Sequence, residues 1–370
     1  MLLKKLLLIL FIAVVGSIDS YVKAIQNPQL PDTVKIGFLI PDKNSKAALN
    51  GAEIAISRAN REGGFNGKPF KLAVRTMDGP WGTGSTQAVN LIFDENVWAI
   101  VGSHDGRNAH LVEQVTTKAR IVFLSVWSSD PTLSQAFVPW FFSTVPNDLQ
   151  QADAFIEEIF NKRKISKTAI ISDNSYDSNL AVESLLKRIK AAGKATPLLV
   201  KYENPDKDIN LITEKINKGN PGSIILFGRP IASSRIIYAL NLTDNNHIIF
   251  GALSLLDENS LSIQELKYFE HVDFISSGSS SESGRFTKDY QKKFGESPGI
   301  VAAYSYDGMN CLIKAIRISG LDRVEIQKSL AKIRLEGVTG VIQFDDKGKR
   351  IGTPVFMEMK NGILVISEKN

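Results

Sequence analysis

The sequence has 370 residues, of which 43% are hydrophobic and 22% charged, with a formal net charge of +5. That length exceeds the size at which one hydrophobic core stops growing, so two lobes are expected. Lys4, Lys5 and Lys23 against Asp19 place +2 of the surplus in the first 24 residues; the +3 that remains, with no arginine-rich or aromatic-interleaved stripe, argues against nucleic acid as a partner.

In chain order, MLLKKLLLILFIAVVGSIDSYVKA opens on two lysines, continues as an apolar run from Leu6 to Val15, and ends in the small-x-small sequence Val22-Lys23-Ala24. This order predicts a cleavable secretory signal over residues 1–24, and an apolar run of about ten residues is too short to span a membrane. The only cysteine, Cys311, lies far from any lipid-attachment position and excludes an internal disulfide and a cysteine zinc cluster. The expectation is a free periplasmic protein, monomeric, with no stable membrane insertion after signal cleavage.

From Thr33 onward, apolar runs rich in β-branched residues alternate with helical patterns, which predicts α/β architecture with parallel sheets. Strands are expected at 33–40, 70–76, 97–102 and 121–125, with helices at 45–62, 85–95 and 107–118 between them. Asn147 and Gln150 read as an N-cap and its N3 partner, opening a helix that runs to about Lys164. A second series of strands follows at 167–172, 196–200, 223–228, 247–251 and 273–277. Helices are then expected at 284–294, 300–319 and 324–334. In the tail, Asp345-Asp346-Lys347-Gly348 and Lys360-Asn361-Gly362 are hairpin turn signals.

The ordered set "TVKIGFLIP", "NGAEIAISRANREGGFNGKPFKLAVRTMDGP", "VWAIVGS", "IVFLSVWSSDPTLS", "DNSYDSN" and "GVTGVIQFDDKGKR" resembles the leucine/isoleucine/valine-binding family of type I periplasmic solute-binding proteins. The resemblance covers about Val34 to Val365. It implies two doubly wound lobes, the first at 32–145 plus 277–340 and the second at 146–276 plus 341–370. Three crossovers would join them, at about 143–147, 275–278 and 339–342. It also implies an ABC-type importer component that passes a small polar or amino-acid-like ligand to an inner-membrane permease. A ligand sensor of the same fold, signalling to a regulatory partner, is the alternative.

The segment GSHDGRNAH, residues 102–110, carries the densest chemistry. Ser103, His104 and Asp105 are consecutive, and consecutive side chains cannot place a base between a nucleophile and an orienting acid. His104 and His110 are six apart, which suits no helical metal pair. Gly63 to Lys68 lacks phosphate-loop spacing and Gly82-x-Gly84 lacks the third glycine of a dinucleotide fingerprint. No catalytic residue, metal or cofactor is expected. Asp105 and Gly106 stand where a strand ends and a helix begins, so free N–H groups there suit an anionic or hydrogen-bond-accepting ligand group.

The resemblance adds further candidates. Trp127, Ser128 and Ser129 match the family's second ligand loop, with the Trp127 carbonyl and the Ser129 hydroxyl and N–H toward the ligand and the indole as an apolar wall. Tyr176 matches a second-lobe tyrosine, and Arg229 stands where amino-acid binders present an aromatic group. Leu253 falls where they place an acid for the ammonium, with Asp257 as a substitute or the ligand lacking an ammonium. Asp105 and Arg107 contact ligand, pair with each other, or pair across the cleft. Trp81 is a cleft residue or a loop anchor, and Tyr306 and Asp307 are undecided.

Overall fold

The computed structural model describes residues 31–102, 105–135, 138–243, 247–257, 263–280, 283–360 and 363–367. The expected signal segment, Ser103, His104 and the Asn361-Gly362 turn lie outside the described residues.

The first half alternates strand and helix: β1 (Val34–Ile40), α1 (Lys46–Arg61), β2 (Phe70–Thr76), α2 (Thr83–Phe93), β3 (Ala99–Gly102), α3 (Gly106–Lys118), β4 (Val122–Ser125), α4 (Pro131–Gln135) and β5 (Phe141–Ser143). The five strands form one parallel sheet in the order β2-β1-β3-β4-β5. Successive side chains point to opposite faces of a strand. Val34, Ile36 and Phe38 accordingly share one buried cluster with Ala52 and Ala55 of α1, while Leu39, Ile100 and Phe123 share another with Leu91 of α2 and Val112 of α3.

After the first crossover come α5 (Asp148–Phe155), which widens into a π turn over Ile156–Lys162, then β6 (Thr168–Asp173), α6 (Tyr176–Ala191), β7 (Leu198–Tyr202), α7 (Pro205–Gly219), β8 (Ser223–Phe227), α8 (Pro230–Asn241), β9 (Ile248–Gly251), α9 (Ile263–Tyr268) and β10 (Asp273–Ser276). The expected capping box is present: Gln150 N donates to Asn147 Oδ1, and Asn147 N to Gln150 Oε1.

The chain then returns to the first sheet with α10 (Ser283–Phe294), α11 (Ile300–Ser319) and α12 (Arg323–Ala331), followed by β11 (Arg334–Gly337) and β12 (Gly340–Gln343). It ends in β13 (Val355–Lys360) and β14 (Ile363–Ile366), which complete a second sheet ordered β14-β13-β10-β9-β8-β6-β7, with β13 and β14 antiparallel. In each sheet the strand order reverses beside an early strand, between β1 and β3 and between β6 and β8. Such reversals open the crevices in which doubly wound sheets bind ligands.

Two expectations shift. The helix expected to reach residue 334 stops at Ala331, and β11 and β12 pair with each other as a hairpin. The Asp345 turn forms, but it lies along β5: Ser143 N donates to the Gly348 carbonyl, and a Cβ on Gly348, whose φ is +73°, would fall on the Phe141 carbonyl. The third passage between sheets therefore runs between Arg350 and Val355, later than about 339–342.

Arg350, 4% exposed, joins the crossovers. Its guanidinium donates to the carbonyls of Thr144, Thr339 and Val341 and to the Thr339 hydroxyl, and it lies 6.0 Å from the centroid of the Tyr304 ring. The Tyr304 hydroxyl in turn accepts from Ser277 N and donates to Ser277 Oγ in the second crossover. Asp307, fully buried, accepts from Val338 N, Thr339 N and Thr339 Oγ1. This gives Tyr306 and Asp307 their places: Tyr306 accepts from Arg58 within the first lobe, and Asp307 belongs to the hinge. Cys311, on the same helix, is wholly buried.

Removing a partner from a buried hydrogen-bonded group costs about 1–3 kcal/mol for each group orphaned. Arg350→Met should therefore lower the unfolding free energy by about 2–5 kcal/mol in urea denaturation. A loss within experimental error would remove Arg350 from the hinge's support.

Candidate functional site

The C-terminal ends of β3 and β4 face the start of α6, which follows β6, and the contacts between them cross from one lobe to the other. Asp105 is the N-cap of α3; its carboxylate accepts from Asn108 N at 2.8 Å and from Asn108 Nδ2 at 3.2 Å. Gly106 N donates to Asp177 Oδ1 of α6 at 3.0 Å. A Cβ on Gly106 would lie 2.7 Å from Asp130 Cβ and 2.9 Å from Asp177 Oδ1, so the lobes meet where this residue has no side chain. Of the N–H groups in this first turn, Gly106 N is thus held by Asp177 and Asn108 N by Asp105, since orphan donors in a helix's first turn take the nearest acceptor.

The Arg107 guanidinium lies over two rings, 5.1 Å from the centroid of Tyr176 and 5.6 Å from that of Trp81. A cation over a ring face is attracted by the ring quadrupole, so Arg107 engages the cleft's aromatic groups and leaves Asp105 to its capping role. Trp81 is 67% exposed and belongs to the rim. The Tyr176 hydroxyl donates to Asp130 Oδ2 at 3.3 Å.

Behind this contact, Asp130 accepts from Thr132 N and Oγ1 and lies 3.1 Å from His110 Nε2. Burial works to raise the Asp130 carboxyl, but the bonds from His110 and Thr132 outweigh it and hold the group below its ordinary value. His110 is pushed up to about 9 by Asp130 first and Glu113 second. Asp148, at the start of α5, is buried and raised well above the ordinary range by that burial, while the Ser129 hydroxyl bonded to it works the other way. Burial likewise lifts Asp177 to about 6, aided by the charges of Asp105 and Asp130 and opposed by the Gly106 N–H and Arg107.

The other expected residues fall as follows. Trp127 is half-buried and meets Tyr304 edge-on, with centroids 6.3 Å apart, which sets the indole between the turn after β4 and the hinge. The Ser128 hydroxyl accepts from Asp130 N and its N–H donates to Ser125 Oγ, so it braces the turn. The Ser129 carbonyl accepts from Asp148 N. Arg229 is exposed as the N-cap of α8. Leu253 is buried in a short 3₁₀ turn that ends before Asp257, and its N–H donates to Gln151 Oε1. Sequence reading missed Asp130, Asp148, Asp177 and Gln151. For the three acids the available signal was a carboxylate just before or within the first turn of a helix, which is ordinary for any helix N-terminus.

A cavity of about 570 Å³ lies in the first lobe between Arg58, Tyr306, Asn310, Lys314 and Leu335 and is lined by none of these strand-end residues. The cross-lobe contacts at the strand ends therefore mark the candidate site better than cavity size does.

The profile of the periplasmic binding protein family matches residues 33–362. The chain belongs to that family. It is 25% identical over 202 residues to the Leu/Ile/Val-binding protein BraC3 of Rhizobium johnstonii, a match covering 53% of this chain and 54% of that one, so it spans about half the length of that relative. The substrate-binding protein LivJ of Streptococcus pneumoniae, solved with isoleucine, superposes with a TM-score of 0.78 at 21% identity over 90% of this chain and 97% of LivJ. A solute-binding protein of R. palustris, solved with benzoate, gives 0.78 at 14% identity over 90% and 95%. These similarities establish the type I periplasmic-binding-protein fold. Among the described residues no helix is long and apolar enough to cross a membrane.

Asp177, Asp307 and His110 make stability depend on pH in one direction, and the raised Asp148 carboxyl acts in the same sense. Asp177 and Asp307 are held at about 6 against an ordinary 3.8, both chiefly by burial, so the folded chain keeps protons that the unfolded chain releases, and stability falls as pH rises from about 4 to 6. His110, at about 9 against 6.5, contributes fully below 6.5 and loses that contribution as pH rises through 9. His110→Gln should flatten the fall in unfolding free energy between about pH 7 and 9, followed by urea denaturation. A slope equal to the parent's would assign that proton elsewhere.

Proposed function

We propose that this chain is the solute-binding component of an ABC-type importer. It captures a small polar or amino-acid-like molecule between its lobes, closes by rotation about the three crossovers, and delivers the ligand to an inner-membrane permease. The observation that carries this reading is the convergence of polar and aromatic groups from both lobes on one crevice at the C-terminal ends of β3, β4 and β6, beside a hinge tied by Arg350. A ligand that touches both lobes favours the closed population by its differential affinity for it, and a closed shape is one a permease can distinguish.

In this reading the protein works in the periplasm, as a monomer, and performs no chemistry on its ligand. The ligand-facing residues are Trp127, Tyr176, Arg107 and Trp81, with the Asp105-Gly106 turn, the Ser128-Ser129 turn and Arg229 around them. The two superposed proteins were solved with isoleucine and with benzoate, so the fold accommodates both an aliphatic amino acid and an aromatic acid. With an apolar Leu253 at the matching position, a ligand ammonium would be met by Asp257, which ends the same turn, or the ligand carries no ammonium group.

Mass spectrometry of small molecules that co-purify from the native compartment would identify the ligand. With it in hand, Trp127→Ala should weaken binding about ten-fold or more in calorimetry, the ~1.4 kcal/mol scale of one aromatic contact. Unchanged affinity would take Trp127 out of the site, and a chain purified without any small molecule would count against solute binding.

A further inference from the structure

The first-lobe cavity of about 570 Å³ stands apart from the cleft and has the volume of a site for a small organic molecule, which runs from about 300 to 1,000 Å³. It is walled by α1, α11 and β11, and its lining falls into two parts. Ala59, Ile313, Ile318 and Leu335 make an apolar stretch, while Arg58, Glu62, Tyr306, Asn310 and Lys314 are polar.

In the polar part, hydrogen-bond donors exceed the acceptors left for them. Glu62 already accepts from Arg58 Nε and from Arg317 Nη1. Asp307, at the inner end, is taken by three donors of the β11–β12 turn. Glu336, the remaining acid of the lining, is exposed on β11. The donors are less used. Tyr306 is 5% exposed; its hydroxyl accepts from Arg58 Nη1, and its own proton has no acceptor among the described residues. Lys314 Nζ carries three N–H groups and donates once, to the Arg334 carbonyl. The Asn310 amide has no bond among the described residues. A buried donor without an acceptor is destabilising, so this lining suits a molecule that accepts.

We propose that this cavity is a second ligand site, separate from the interlobe cleft, that takes a small amphipathic carboxylate and acts on the hinge. The carboxylate accepts from Tyr306, Arg58 and Lys314 in charge-assisted bonds, the stronger kind. The apolar part of the molecule lies on Ile313 and Leu335 and covers Ile318, which is 65% exposed.

The action on the hinge follows from the inner wall, Asp307, Gly337 and Val338. A Cβ on Gly337 would lie 2.5 Å from the Asp307 carboxyl, so the hairpin is seated closely on α11 there. Asp307 holds Val338 N and Thr339 N, and Thr339 gives its carbonyl and hydroxyl to Arg350, which reaches the first crossover at Thr144. A molecule lodged between α11 and Leu335 therefore braces the hairpin that Arg350 grips. No cleft residue takes part, so this site stands or falls independently of solute capture.

Calorimetric titration with sodium hexanoate tests the site, with hexanamide as the uncharged control of equal chain length. Hexanoate should bind about ten-fold more tightly than hexanamide. Lys314→Glu and Tyr306→Phe should each weaken hexanoate about five-fold or more. Lys314 is exposed and Phe keeps nearly the volume of Tyr, so both variants should fold. Hydrogen exchange at the Val338 and Thr339 amides should slow in the presence of hexanoate. Absence of binding at millimolar hexanoate, or an affinity that both variants leave unchanged, would overturn the site. Loss of binding confined to the cleft variant Trp127→Ala would assign hexanoate to the cleft and overturn it equally. Unslowed exchange at the two amides would overturn the action on the hinge.

Discussion

One buried cation carries the geometry of the whole molecule. The Arg350 guanidinium bonds a carbonyl in the first crossover and two in the β12 region, and it rests on the ring whose hydroxyl holds Ser277 in the second crossover. Its backbone carbonyl also accepts from the Gln150 side chain at the start of α5. The planar fork of an arginine suits this task, because several donors fixed in one plane can satisfy acceptors on different chain segments at once. Asp307 completes the arrangement by gathering Val338 N, Thr339 N and the Thr339 hydroxyl on the other side of the same turn.

That constraint explains why the functional contacts sit where they do. Parallel sheets present their strand ends and helix N-termini along one edge, and a hinge beside those edges brings two such edges face to face. Each edge is rich in N–H donors and in the carboxylates that cap them, so closure pairs donors of one lobe with acids of the other. At Gly106 the missing side chain leaves room for Asp130 from its own lobe and Asp177 from the opposite one. The aromatic residues Trp127, Tyr176 and Trp81 then line or border the crevice, and Trp127 links it to the hinge through Tyr304.

Much of this was readable from residue spacing. The α11 helix at Ile300–Ser319 and the β2 strand at Phe70–Thr76 coincide with the expected bounds, because each has strong apolar periodicity and a glycine or turn at its ends. The overshoot of α12 has the same origin: Ile326, Leu330 and Ile333 are all buried at helical spacing, yet Ile333 reaches the core after the helix has ended. Trp127, Tyr176 and Arg107 were legible because they stand next to strand ends. Asp130, Asp148 and Asp177 were not: Tyr176 and its partner Asp130 are 46 residues apart, Gly106 and Asp177 are 71 apart, and an acid at a helix start has a sufficient local explanation in the helix dipole.

The single thiol has a practical consequence. Cys311 is wholly enclosed beside the hinge helix core, and burial together with the nearby Asp307 charge pushes its titration far upward, so it stays protonated and shielded at any working pH. Cysteines engineered at the lobe tips would accept fluorophores without competition from the native residue. Alkylation of Cys311 itself reports loss of the α11 packing and is blind to rotation of the lobes, so one molecule carries a clock for unfolding that keeps time separately from any probe of its opening and closing.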